Sequence, residues 1–280
     1  MYDVSRSIST SLPFREEDIA RWHHRSANSL TIDIPAGIVV DLSQLNRFEG
    51  LRHLHIGGDS RKTVVLDDVL SGLTTLESLA VNLHKYTMAR FPPRLRELRC
   101  TPFPIGVDLS GLNLRSLWVD GLRGHSDLTW LSDASVKTLV IQHAPSLSSL
   151  AGIPRGLGAL RVDFAPHLSD LDALAGPCLR SIELHRCGSP SLVPVLVTCL
   201  VELLINECGA IPTISVLVNA QALRRLEFYG STRVQDGRIA FLGLLPSLAD
   251  VRFQDRKEYD STREEIWTRL GARLQDDGSA

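Results

Sequence analysis

Leu179-Arg180-Ser181-Ile182-Glu183-Leu184-His185-Arg186-Cys187-Gly188 is followed, 21 residues on, by Leu200-Val201-Glu202-Leu203-Leu204-Ile205-Asn206-Glu207-Cys208-Gly209. Both copies carry apolar residues at positions 1, 4 and 6 and a cysteine at 9. Cys178 and Cys199, just ahead of them, keep the same offset. In a short strand successive side chains point to opposite faces. Positions 4 and 6 therefore face inward, and 3, 5 and 7 face outward. A short strand with a long return is one coil of a solenoid, which buries its apolar side only against neighbouring coils.

The same triplet extends in both directions. It runs from Ala27/Leu30/Ile32 through Leu51/Leu54/Ile56, Leu76/Leu79/Val81, Leu95/Leu98/Cys100 and Leu114/Leu117/Val119. It continues through Val136/Leu139/Ile141, Leu157/Leu160/Val162 and the two copies above to Leu223/Leu226/Phe228 and Leu248/Val251/Phe253. The spacing predicts eleven parallel strands, 19 to 25 residues apart.

The flanks read as caps. Residues 1–26 do not fit the repeat. Glu16, Glu17 and Asp18 ahead of Ile19 and Trp22 predict a short helix with an acidic first turn, Trp22 covering the open end of the coil and His23 and His24 in solvent. At the other end, residues 257–280, Ser261 and Glu264 offer a capping box. Ile266, Trp267, Leu270 and Leu274 then form a one-sided stripe that predicts a C-terminal capping helix with Trp267 inward, before a disordered tail. Between them, residues 27–256 read as one uninterrupted solenoid. Helical turns are expected in the returns at 65–73, 147–152, 168–176 and 239–245. Extended returns are expected at the proline-punctuated stretches 91–93 and 101–104.

These residues resemble leucine-rich repeat proteins, and Leu168-Ser-Asp-Leu171-Asp-Ala-Leu174-Ala-Gly176 is similar to the short-repeat, internalin-like branch found in bacteria. The resemblance implies an α/β solenoid, a horseshoe with its strands on the concave face, used mostly to bind proteins. Such families place Asn at position 9, where its amide bonds the adjacent turns. Here Cys187, Cys208 and Ser231 are the substitutes at that slot, and the polar ladder is expected to be largely absent.

Composition narrows the function classes. A formal net charge of −2 over 280 residues gives no electrostatic case for nucleic acid. No stretch approaches the roughly 18 apolar residues of a membrane span, and Met1–Leu12 lacks a signal-peptide pattern. Five cysteines without a CxxC pair argue against a disulfide framework, so free thiols and a cytoplasmic location are expected. Cys187 and Cys208, at the same slot of adjacent coils, would come close to bridging distance under oxidation. His53 and His55 face outward together but lack the further ligands that a metal needs. Neither a metal nor a cofactor is expected.

Catalytic patterns are thin. Asp163 and His185 share position 7 of adjacent strands, which is part of a hydrolytic constellation. No nucleophile elbow, phosphate loop or HExxH motif accompanies them. The outward face remains. Trp118, a large aromatic in a slot with no core role, is flanked by Arg99 and Asp120. With Arg161, Asp163, Glu183, His185, Glu227 and Tyr229 it makes up the expected partner-binding set. The expected function is non-enzymatic recognition of a protein partner by a monomer, one version being an inhibitor or immunity-type protein. The alternatives are an enzyme site around 161–185 and a scaffold that binds through its convex side.

Overall fold

The computed structural model describes residues 7–36, 41–59, 63–88, 90–104, 107–195 and 197–276. The first six residues of the leader reading, the Leu274 side chain and the tail from 277 lie outside them.

Twelve strands run parallel in the order of the chain. They are β1 (Ser7–Ser11), β2 (Ser29–Ile34), β3 (His53–Gly58), β4 (Ser78–Leu83), β5 (Glu97–Thr101) and β6 (Asn113–Asp120). Then come β7 (Ser135–Gln142), β8 (Ala159–Ala165), β9 (Ser181–Cys187), β10 (Glu202–Asn206), β11 (Arg225–Tyr229) and β12 (Asp250–Phe253). The chain forms two compact units, residues 1–121 with 133–136, and 122–132 with 137–280. β1–β6 belong to the first, and β8–β12 with most of β7 to the second.

Eleven of these strands carry the apolar triplets, in the register that the sequence demands. Ile182 lies beside Leu203 and Leu184 beside Ile205. Leu184 and Ile205 are each only 1% exposed. The expected count of eleven is corrected by β1, which pairs with β2 through Ile8–Leu30 and Thr10–Ile32. Residues 1–26 therefore supply a strand as well as a helix. A threonine in an inward slot, within a run of serines and threonines, hid it from an apolar-triplet search.

In the first unit, helix α1 (Glu16–Arg25) starts at Arg15, whose backbone N–H donates to the Asp18 carboxylate at 3.1 Å. Trp22 is buried as expected; its indole N–H donates to the Glu49 carbonyl at 3.0 Å and its ring meets Phe48 edge-on. His23 and His24 are exposed. Helix α2 (Asp67–Gly72) fills the return where a helical turn was expected. The proline-rich returns 91–93 and 101–104 form no helix.

In the second unit the returns are 3₁₀ turns at Thr129–Leu131, Asp172–Ala175, Ser215–Asn219 and Ala240–Leu244. Residues 147–152 form no helical turn; Ser149 instead makes a bridge with Asp170. The returns share a feature that the triplet search missed. A side-chain oxygen accepts the backbone N–H two residues on, as in Asp41–Ser43, Asp108–Ser110, Asp127–Thr129, Ser149–Ala151, Asp170–Asp172 and Thr213–Ser215. In these six the residue between is a buried Leu or Ile: Leu42, Leu109, Leu128, Leu150, Leu171 and Ile214; the same bond at Asp236–Arg238 spans Gly237 instead. Asp and Ser favour this local bond, which turns the chain and drops the next apolar side chain into the core.

The cysteines correct two expectations. Cys178 and Cys199 form a disulfide across a Cα–Cα distance of 5.5 Å, so free thiols remain only at Cys100, Cys187 and Cys208. Equal slots on adjacent coils sit about 5 Å apart, which is bridging range. Cys187 and Cys208 share a slot too, but they are engaged otherwise. The Cys187 N–H donates to the Cys208 sulfur, and the Cys208 N–H donates to the Thr232 hydroxyl at 2.9 Å. A short sulfur–hydroxyl ladder thus stands at the slot where the polar ladder was expected to be largely absent. Its last member is Thr232, only 2% exposed, not Ser231, because one extra turn residue shifts the slot.

Helix α3 (Arg263–Asp276) packs on the 240–244 turn and on β12. Its capping box lies one residue later than expected. The Glu265 carboxylate accepts the Thr262 N–H at 3.0 Å, and the Thr262 hydroxyl accepts the Glu265 N–H at 3.2 Å. Ile266 and Leu270 are buried, but Trp267 is 42% exposed, which corrects its expected inward position. Residues one apart lie about 100° round a helix, so a stripe set by 266 and 270 turns 267 outward.

Candidate functional site

The buried pairs Leu54/Ile56, Leu79/Val81, Leu98/Cys100 and Leu117/Val119 hold β3–β6 in register. Period-two alternation then sets two outward rows side by side. Position 3 reads Ser29, His53, Ser78, Glu97 and Ser116, and position 5 reads Thr31, His55, Ala80, Arg99 and Trp118. Small and large side chains adjoin in these rows. Ala80 is the smallest of its row and stands between His55 and Arg99.

The result is a groove with two lobes. One, of about 440 Å³, is lined by the position-3 row with His55, Ala80, Arg99 and Trp118. The other, of about 310 Å³, is lined by His55, Ala80, Val81, Asn82, Arg99 and Thr101. His55, Ala80 and Arg99 line both. The Arg99 guanidinium lies 4.0 Å from the centroid of the Trp118 ring, so this tryptophan is half-buried under an arginine instead of projecting freely. Such a stack contributes about 0.5–1 kcal/mol at an exposed site. Partial desolvation in the groove, and then the charge of Arg99, hold the His55 imidazole below its ordinary pKa. Asp120 ends the Trp118 strand at position 7 and is half-buried.

The remaining expected site residues lie in the second unit, where charges are neutralised internally. Arg161 pairs with Glu183 at 3.4 Å, and Asp163 meets Nδ1 of His185 at 3.0 Å. Glu227 accepts from Asn206 at 2.8 Å and from Arg225 at 3.2 Å. Tyr229 is exposed beside them. The expected set thus divides into Arg99, Trp118 and Asp120 in one unit and Arg161, Asp163, Glu183, His185, Glu227 and Tyr229 in the other. The Asp163–His185 pair has the geometry that orients an imidazole. Ser181, at position 3 of the His185 strand, directs its hydroxyl to Glu202 at 3.5 Å.

The sequence reading passed over Ala80, Ser78 and Asn82. Their signal was size: small outward residues between large ones make a cavity. Among the described residues no three His, Cys, Asp or Glu side chains group as a metal site, and no helix is long and apolar enough to cross a membrane. Burial pushes the Cys100 thiol up to about 12, which suits a packing role. No family model matches the chain, and no curated protein matches it.

Proposed function

We propose that the chain is a leucine-rich repeat recognition protein that binds a protein partner, without catalysis, on the concave, strand-lined face of its horseshoe. An inhibitor or immunity-type role is the concrete version of this reading. One observation carries it: the two-lobed groove over Ala80, walled by Arg99 stacked on Trp118. Trp and Arg are the types enriched at binding hot spots, and a concave site strips a ligand of more of its water than a flat one.

The test is affinity capture with the wild-type chain, followed by calorimetry with the purified partner. Trp118→Ala is expected to weaken binding at least about tenfold and to lower folding stability by under about 1 kcal/mol. Unchanged affinity would move the interface off β3–β6.

The Asp163–His185 contact favours one second reading, a hydrolytic site around 161–185. Asp163→Asn would then abolish hydrolysis of ester substrates by the purified chain and leave partner binding untouched. Absence of such hydrolysis in the wild type removes this reading.

A further inference from the structure

Arg99 differs from the other arginines of the outward rows. Arg161, Arg225 and Arg252 each stand within ion-pair distance of a carboxylate, as does Arg52 nearby. No carboxylate among the described residues stands at that distance from Arg99, whose guanidinium lies over the Trp118 indole face. Stacking occupies the flat side of a guanidinium. It leaves the in-plane N–H fork free, and that fork matches a carboxylate in two parallel hydrogen bonds. The neighbour in register on the other side, Ala80, is too short to fill the space beside it.

The two lobes that meet there differ in chemistry. The larger sets the half-buried Trp118 ring among the small residues Ser29, Ser78, Ala80 and Ser116, and His53 and Glu97 also line it. The smaller offers the Asn82 amide and the Thr101 hydroxyl and has no acidic residue in its lining. An anion is better placed in the smaller lobe, where Arg99 has no acidic neighbour in the lining. An apolar group prefers the reverse. A ligand that satisfies both carries a carboxylate and an apolar side chain diverging from one point, within a few ångströms of Arg99. The last residue of a polypeptide has that form; a glutamate or aspartate side chain has the carboxylate but no apolar arm.

We infer that the groove over Ala80 is a receptor for the C-terminus of the protein partner, its terminal carboxylate on Arg99 in the Asn82–Thr101 lobe and an apolar last side chain against Trp118. This rests on the proposed recognition role of the same face and adds the chemistry of what is recognised.

The probes are N-acetyl-leucine, N-acetyl-leucinamide and N-acetyl-glutamic acid α-amide. They are titrated into ¹⁵N-labelled protein while the Trp118 indole N–H, assigned with Trp118→Phe, and the Ala80 amide are followed. N-acetyl-leucine is expected to bind with Kd in the low millimolar range, about what a ligand of that size supports. Both amides should bind at least about tenfold more weakly. Arg99→Gln should bring N-acetyl-leucine down to the level of its amide, with the thermal midpoint lowered by no more than about 4 °C through loss of the stack.

Equal binding of acid and amide would overturn the carboxylate reading. Equal binding of the glutamate probe would mean that an acidic side chain, not a terminus, is read. No shift at either reporter up to about 50 mM would remove the site. These outcomes are separable from failure of the recognition role. Partner binding that survives Trp118→Ala while N-acetyl-leucine still binds would sink that role and keep the pocket.

Discussion

Thr232 was absent from the sequence reading, yet it is a buried polar residue of the second unit. Its hydroxyl accepts the Cys208 N–H inside the core. Thr232→Val keeps the shape and removes the acceptor, so it is expected to cost about 1–3 kcal/mol, read as a shift in a urea midpoint. Ser231→Ala, at an exposed site, should fall within about 0.5 kcal/mol of wild type. The reverse outcome would restore Ser231 to the ladder. Counting slots put Ser231 there because Leu203 to Leu226 spans 23 residues, while Cys208 to Thr232 spans 24. Only the hydrogen bond reveals which residue absorbed the extra step. Trp118 was legible in part. Leu117 and Val119 fix its outward slot, but its cover by Arg99 depends on rotamers that no periodicity encodes.

At the scale of elements, α3 and the return turns carry the predictions. Residues 263–276 cover the 240–244 turn through Ile266 and Leu270. Their removal should expose Leu242, Val251 and Phe253 and cause aggregation or a large loss of stability, seen by size exclusion and thermal melting. A monomer with an unchanged melt would mean that α3 is no cap. The stripe of α3 was readable, but its first turn was not, because Ser261/Glu264 and Thr262/Glu265 are both valid boxes in sequence. The Asp255 carboxylate, which accepts the Arg263 N–H at 2.7 Å, helps fix the start and lies too far along the chain for a local motif.

Acid should test the same elements together. The Glu265 carboxyl is held below its ordinary pKa chiefly by the Thr262 N–H. The carboxyls of Asp41, Asp108, Asp127 and Asp170 are held down chiefly by the hydroxyls of Ser43, Ser110, Thr129 and Ser149. Folded-state values below unfolded ones mean that this stabilisation is complete above the unfolded pKa and is lost as pH falls through the folded one. The thermal midpoint should be flat above about pH 5 and decline below about pH 4. Replacing the four Asp residues by Asn should shrink that decline; an unaltered profile would assign the acid sensitivity elsewhere.

For the whole molecule, the strand register of both units was legible because eleven apolar triplets repeat, and each inward residue confirms the next. The disulfide was not. Cys178–Cys199 and Cys187–Cys208 have the same offset of 21 residues, and only the competing backbone bonds at Cys187 and Cys208 separate them. A thiol count in denaturant without reductant should return three, from five cysteines less the bridged pair. A count of five would show the bridge to be open. A link closing a loop of that length stabilises by about 3 kcal/mol in the chain-entropy account, so reduction should lower the melting temperature.

The alternation along each strand also bears on how such a chain can change over generations. Stability is written in Ile32, Ile56, Val81, Cys100 and Val119, and recognition, on the reading above, in the residues just before them: Thr31, His55, Ala80, Arg99 and Trp118. The two texts share a strand but no side of it. A library randomised at the second set should stay soluble and protease-resistant in most members, whereas one randomised at the first should not. New binding partners would then be reachable by single substitutions, with the architecture left intact at every step.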